Sequence, residues 1–133
     1  MFEVLRGVYL THKGIMRDIS VLPAEKCLEM ATIDGARVLG MDRQIGSIEK
    51  GKKADVIIVD LPNVTPLIPE NIHSQIITTA MGRNVETSII DGRVVMEKRK
   101  VLTTDPEEAM KKCKETSLDI WNRNRVNLEK RLL

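Results

Sequence analysis

The stretch GSIEKGKKADVIIVD, residues 46–60, sets two glycines and three lysines before an unbroken aliphatic run flanked by aspartates. One reading is a phosphate-binding loop, because four residues separate Gly46 from Gly51 and Lys52 follows. That chemistry needs GxxxxGK[ST] after a strand and before a helix, so that helix N–H groups point at the anion. Here Lys53 stands where the hydroxyl residue belongs, and the residues that follow have no helical period. The order of elements is inverted. The stretch reads better as a turn leading into a strand. Glycine permits a left-handed backbone, the lysines stay solvated, and the aliphatics go inward. Four β-branched residues in a row, 56–59, predict a strand covered on both faces.

Upstream, Phe2, Leu5, Val8, Tyr9 and His12 recur at spacings of three and four, which predicts a helix over 1–13 that stops at Gly14. Pro23 suits the first turn of the next helix, PAEKCLEMAT, with Ala24, Cys27, Leu28 and Ala31 on one side. Thr32 or Asp34 then caps a second short helix, DGARVLG, ended by Gly40. Downstream, LPNVTPLIPENI holds three prolines and reads as a surface loop. Asn71 is expected to cap a helix to about Met81, with Ile72, Ile76 and Ala80 inward. VETSIIDGRVVMEKRKVL, residues 85–102, is the clearest local signal: Asp91-Gly92 suits a type I′ turn between two apolar runs. It predicts a β-hairpin whose second arm extends towards Leu102. Asp105 as N-cap and Pro106 at the first helical position open a long final helix. Its stripe is Met110, Cys113, Ser117, Ile120, Trp121, Asn124 and Leu128.

The 133 residues amount to one domain's worth of chain, 42% hydrophobic and 30% charged, which is globular in character. Phe2, Tyr9 and Trp121 are the only aromatics, so any core is aliphatic. The net charge of +2 is spread among interleaved acids, so no extended positive field arises and nucleic acid is not an expected partner. Cys27 and Cys113 lie among apolar neighbours, form no CxxC pattern and read as two reduced core thiols. Glu3, Arg6 and His12 interrupt the opening segment, which therefore does not read as a secretory signal. The longest aliphatic run is far too short for a bilayer. The expectation is a cytoplasmic protein with no membrane partner.

Chemistry is scarce. Metal-dependent hydrolysis needs imidazoles and carboxylates converging on one ion. His12 and His73 are the only histidines, without HxH, HExxH or HxxE spacing. His12 reads as packed or capping, His73 as exposed. No GxSxG elbow is present, and neither cysteine has a histidine nearby in sequence.

Several segments together are recognisable. LPAEKCLEMATIDGARVLGMDRQIGSIEKGKKADVIIVD (22–60), followed by VETSIIDGRVVMEKRKVL, resembles the C-terminal part of the metal-dependent amidohydrolases. The pattern ATxxGAxxLGxxxxxGSIxxGKxADxxxxD, starting at Ala31, is highly specific. The similarity is greatest to the branch with methylthioadenosine/S-adenosylhomocysteine deaminases and atrazine chlorohydrolase. MFEVLRGVYLTHKG resembles that branch's last barrel helix.

The resemblance implies an α+β chain: the last helices of a (β/α)8 barrel in 1–45, about three strands of a partial β-sandwich with one hairpin in 46–104, and a C-terminal helix in 105–133. It implies that the full-length family uses a divalent metal, zinc or iron, to lower the pKa of a bound water. The family's HxH pair, later histidines and last-strand aspartate match no position here. No catalytic, cofactor-binding or metal residue is therefore assigned, and no cofactor is expected in this chain. The expected role is scaffold for a hydrolase of carbon–nitrogen or carbon–chlorine bonds in a heterocycle, inactive alone. The alternative is a non-catalytic oligomerisation or interaction module. Exposed barrel helices and unpaired strand edges make self-association, or the missing barrel portion, the expected partner.

Overall fold

The computed structural model describes residues 1–61 and 66–129, with side chains through residue 124. The elements are α1 (Phe2–Met16), α2 (Ala24–Ala31), α3 (Ile33–Val38), β1 (Val56–Val59), α4 (Ile72–Thr79), a 3-10 turn (Gly82–Asn84), β2 (Val85–Ile90), β3 (Arg93–Glu97), β4 (Lys100–Val101) and α5 (Pro106–Glu129). The class is α+β. The chain divides into two compact units, Met1–Lys100 and Val101–Leu133.

In the first unit α1, α2 and α4 pack pairwise, and α3 packs on α2. Leu5, Cys27 and Ile77 form the centre, with Tyr9, Leu22, Ala24, Leu28 and Ala31 around them. The predicted stripe of α1 thus faces the core through Leu5 and Tyr9, but His12 is exposed. Helix α1 runs through Gly14 to Met16, and Arg17 takes the left-handed C-cap with φ 51°. The helix therefore runs past the predicted stop, because the Arg17 N–H satisfies the Lys13 carbonyl without a glycine. Lys13 Nζ holds the following loop by donating to the carbonyls of Ile19 and Val21.

Helix α3 begins at Ile33, before Asp34, and Thr32 makes no capping bond with its side chain. The Thr32 hydroxyl instead donates backward to Leu28 O at 2.7 Å. On helix α4 the predicted inward face holds at Ala80, which is fully buried, and fails at Ile72, which is exposed; Ile77, off that face, is fully buried instead. Asn71 Oδ1 accepts from the Ile68 N–H rather than capping the helix ahead of it. Part of the proline-rich loop, 62–65, lies outside the described residues. The carbonyls of Ile77 and Ala80 near the end of α4 accept from Arg6 of α1, at 3.2 Å from Nε and 2.8 Å from Nη2.

The sheet runs β1-β2-β3-β4 and is antiparallel at β1–β2 and β2–β3. Asp91 (φ 50°) and Gly92 (φ 76°) both have positive φ, as the predicted I′ turn requires. The second arm does not continue to Leu102. It stops at Glu97, and Lys98 (φ 48°) and Arg99 (φ 62°) reverse the chain into β4. The Arg99 N–H donates to Glu86 O at 2.8 Å, and its guanidinium reaches Asp60 Oδ2 at 2.7 Å and Arg83 O at 3.1 Å. These bonds hold a left-handed turn that contains no glycine. Strand β1 is not covered on both faces: Ile57 is 51% and Ile58 49% exposed. Among the described residues it is an edge strand, paired with β2 alone.

In the second unit Asp105 Oδ1 accepts from the Glu107 N–H at 2.9 Å, so the predicted N-cap and the Pro106 start both hold. Met110, Cys113, Ile120 and Trp121 are exposed. Cys113 is therefore not a core thiol, unlike Cys27. The side chain of Leu128 lies outside the described residues. None of the described helices is long and apolar enough to cross a membrane.

Arg6→Ala leaves two carbonyls at the end of α4 without their charged donor. Urea denaturation is expected to show a loss of about 2 kcal/mol. An unchanged midpoint would mean that Arg6 does not hold α4 to α1.

Candidate functional site

The stretch 46–60 folds as a turn seated on α3. Gly46 has φ 93°, and a Cβ there would lie 2.7 Å from Ala36 Cβ, 2.9 Å from Ile33 Cα and 3.0 Å from Thr32 O. Only glycine fits this approach. The Lys53 N–H donates to Gln44 O at 2.8 Å and the Lys52 N–H to Glu49 O at 3.2 Å. Two of the amides that a phosphate would need are therefore engaged within the chain.

The lysines divide. Lys53 reaches Asp91 Oδ1 at 3.5 Å and is well exposed. Lys52, expected to be solvated, is only 11% exposed; its Nζ lies 2.5 Å from Ser47 Oγ and 3.2 Å from Glu49 Oε1. Ser47 donates to Glu49 at 2.5 Å. The hydrogen bond from Ser47, then that from Lys52, holds the Glu49 carboxyl below its ordinary range. This triad fastens the turn and pairs the ammonium with a carboxylate and a hydroxyl of the same turn. Asp55 Oδ1 accepts from the Asp91 N–H at 2.6 Å, tying the start of β1 to the hairpin tip. Asp60 binds Arg99. Both aspartates bracket the strand structurally.

A second charged group joins α2 to α3. Lys26 Nζ lies 2.7 Å from Asp34 Oδ2 and 2.9 Å from Glu29 Oε2, and Arg37 reaches Asp34 Oδ1 at 2.6 Å. The Lys26 hydrogen bond first, then Arg37, lowers the Asp34 carboxyl pKa; Asp34 and Glu29 raise that of Lys26. The sequence showed Asp34 as a possible cap and gave no sign of this pairing, which needs α2 and α3 to meet at an angle.

Neither histidine sits in a cluster. His12 Nδ1 is 3.0 Å from Val8 O within its own helix. His73, expected to be exposed, is half-buried on α4. Burial pushes the Cys27 thiol up, against a smaller opposing pull from Lys13, so the buried sulfur is a poor nucleophile. Among the described residues no three His, Cys, Asp or Glu side chains come together to hold a metal ion. A sizeable apolar concavity, about 430 Å³, lies between α1, α2 and α3, with Val4, Leu5, Cys27, Met30, Ala36 and Leu39 on its walls. Sequence periodicity placed Leu5 and Cys27 there but not Val4, Met30 or Leu39, which lie off the predicted stripes.

Residues 1–95 match the model of the amidohydrolase family. The chain belongs to this family. As an amidohydrolase it is 43% identical to the 5′-deoxyadenosine deaminase of Methanobrevibacter smithii over 86% of this chain and 26% of that protein. It is 41% identical to the 5-methylthioadenosine/S-adenosylhomocysteine deaminase of Moorella thermoacetica over 81% of this chain and 25% of that protein. This amidohydrolase chain therefore spans about a quarter of the length of these curated relatives. Among solved structures, an adenosine deaminase from Xanthomonas campestris with bound zinc matches 92% of this chain and 28% of its own, with a TM-score of 0.84 and 30% identity. An atrazine chlorohydrolase from Arthrobacter aurescens complexed with zinc matches 84% of this chain and 25% of its own, with a TM-score of 0.70. At 24% identity that second likeness is one of fold. The zinc of these relatives has no matching donor set among the described residues.

Gly46→Ala is expected to cost about 2–4 kcal/mol, combining a left-handed alanine with overpacking against α3. A denaturation midpoint equal to wild type would unseat the turn from α3. Asp34→Asn is expected to lower stability at neutral pH. Because the folded-state pKa of Asp34 is depressed, its contribution is complete above the unfolded value and fades as pH falls through the folded one. Thermal unfolding curves of wild type and variant are therefore expected to start drawing together only as pH falls below about 4 and to meet below the lower folded-state value. A gap that persists in acid would show that the ion group is not its source.

Proposed function

We propose that this chain is the framework part of an amidohydrolase that deaminates a 5′-substituted adenosine, hydrolysing a ring carbon–nitrogen bond with loss of ammonia. The observation that carries the reading is the identity of 43% and 41% to deaminases named for such substrates, extending over more than four-fifths of this chain. Helices α1–α3 then correspond to the last helices of the family's (β/α)8 barrel, and β1–β4 to the C-terminal share of its β-sandwich. Boundaries near 1–45, 46–104 and 105–133 follow from that assignment, as does a cytoplasmic location.

On this reading the chain positions and does not react. Its charged groups at the Gly46 turn and at Asp34 are consumed in internal pairs, and Cys27 is a neutral buried thiol. The divalent metal and the groups that hold it belong to the rest of the family's length. Dechlorination of a triazine draws its support only from likeness of fold.

The test is an assay of the purified chain with zinc, following ammonia release from 5′-deoxyadenosine, methylthioadenosine and S-adenosylhomocysteine. No turnover and no stoichiometric zinc by elemental analysis are expected. Ammonia release by this chain alone, with metal held tightly, would overturn the framework assignment.

A further inference from the structure

The tripeptide Ile-Asp-Gly occurs twice in the chain, at 33–35 and at 90–92. Both copies offer the same chemistry. Glycine has no Cβ, so its nitrogen can approach the preceding carboxyl without hindrance. Attack of that nitrogen on the aspartate Cγ forms a C–N bond, and the amide proton leaves with the carboxyl OH as water. The product is a cyclic imide, and water then opens either of its ring C–N bonds. Breaking the bond to Cγ returns aspartate. Breaking the bond to the main-chain carbonyl carbon leaves a β-linked isoaspartate with a free α-carboxyl. One water is lost and one regained, and nothing is oxidised or reduced. Because the residues on both sides of each aspartate are the same, the fold decides between the two copies.

Asp34–Gly35 lies within α3. A helical Cα–Cβ bond tilts towards the helix N-terminus, which carries the carboxyl away from the amide that follows. Lys26 at 2.7 Å and Arg37 at 2.6 Å also fix the carboxylate. These partners, Lys26 first, lower its pKa, so the protonated acid that loses the OH is scarce. Gly35 itself is crowded: a Cβ there would lie 3.2 Å from Met30 O, which leaves little room for a ring.

Asp91–Gly92 stands in the opposite situation. Its residues form the left-handed turn with φ 50° and 76°, where Cβ of Asp91 is crowded against the following carbonyl. The Asp91 side chain is 66% exposed, and Lys53 reaches it at 3.5 Å. A Cβ built on Gly92 meets nothing within 4 Å. The restraint comes from the entry to β1, where the Gly92 N–H donates to Ala54 O at 3.1 Å and the Asp91 N–H to Asp55 Oδ1 at 2.6 Å. Exposed bonds at a hairpin tip open locally more often than those of a core. We propose that Asp91–Gly92 is a site of spontaneous isoaspartate formation gated by residues 54–55, while the identical pair in α3 is protected. The change inserts Cβ of Asp91 into the main chain, which a two-residue turn matched to the strand twist does not accommodate. The Asp91 N–H then no longer faces Asp55, and the start of β1 is untied from the hairpin.

The test incubates the full chain for weeks at neutral pH and physiological temperature. Peptide mapping with electron-transfer fragmentation separates isoaspartate from aspartate at equal mass. Isoaspartate is expected to form at position 91 about tenfold faster than at position 34. In urea that unfolds the chain, the two rates should coincide. Asp55→Ala, which removes one bond from the turn, should speed the change at 91 about fivefold and leave position 34 unaltered. Asp55→Asn retains an acceptor oxygen and should restore the wild-type rate. In the aged chain, the amides of 56–59 should exchange with deuterium faster than in fresh protein.

Equal rates at the two positions of the folded chain, faster change at 34, or no isoaspartate at either overturns the proposal. So does a difference that persists in urea, since the selectivity would then lie outside the fold. An Asp55→Ala rate equal to wild type overturns the gate, and unchanged exchange at 56–59 overturns the link from the turn to β1.

Discussion

The approach of Gly46 to α3 is the constraint on which the first unit depends. With no Cβ, the turn comes within contact distance of Ile33, Thr32 and Ala36, and everything after it inherits that placement. The Gln44–Lys53 backbone bond closes the turn, Lys53 and Asp55 meet the hairpin tip at Asp91, and Asp60 takes Arg99 at the far end of β1. The described polar bonds that place β1 thus form a sequence of short links that starts at one glycine. Such an arrangement transmits a local error along its whole length, because each link assumes the previous one.

Elements whose reason is local were legible in the sequence. Asp91-Gly92, Asp105-Pro106 and the aliphatic run 56–59 each carry their instruction in adjacent residues, and each forms where expected. The inverted order of the GSIEKGKK stretch was likewise enough to rule out a phosphate cradle. What failed was whatever depends on distant partners. Lys98-Arg99 turns because the Arg99 guanidinium finds Asp60, thirty-nine residues away. The buried face of α4 is set by Arg6 and the α1–α2 core, so its own periodicity misplaced Ile72. Lys52 looks solvated from its neighbours and is covered only once Ser47 and Glu49 fold over it. The outer wall of the helical concavity was missed because Val4, Met30 and Leu39 do not share one period; three helices must come together before they face a common space.

The centre of the first unit is small for its chain. Leu5, Cys27 and Ile77 form its buried cluster, whereas many large aliphatics on α1, α3 and the sheet stay in water. An isolated domain usually resolves this by burying more of its apolar surface. Here the excess coincides with a chain that spans about a quarter of its relatives' length, and the same helices that hold the core present the bare concavity outward. The thin core and the open concavity belong to the same helices, which carry apolar residues on two faces.

The two rims of the sheet differ in kind. At one, β4 is two residues long and begins with Lys100, so an approaching backbone has almost nothing to pair with. At the other, β1 offers an uncharged aliphatic segment whose flanking aspartates, both exposed, bind the Asp91 N–H and the Arg99 guanidinium. Among the described residues, the backbone left free to pair therefore lies along β1, and the opposite rim is closed by the brevity of β4, which makes the sheet polar across its width.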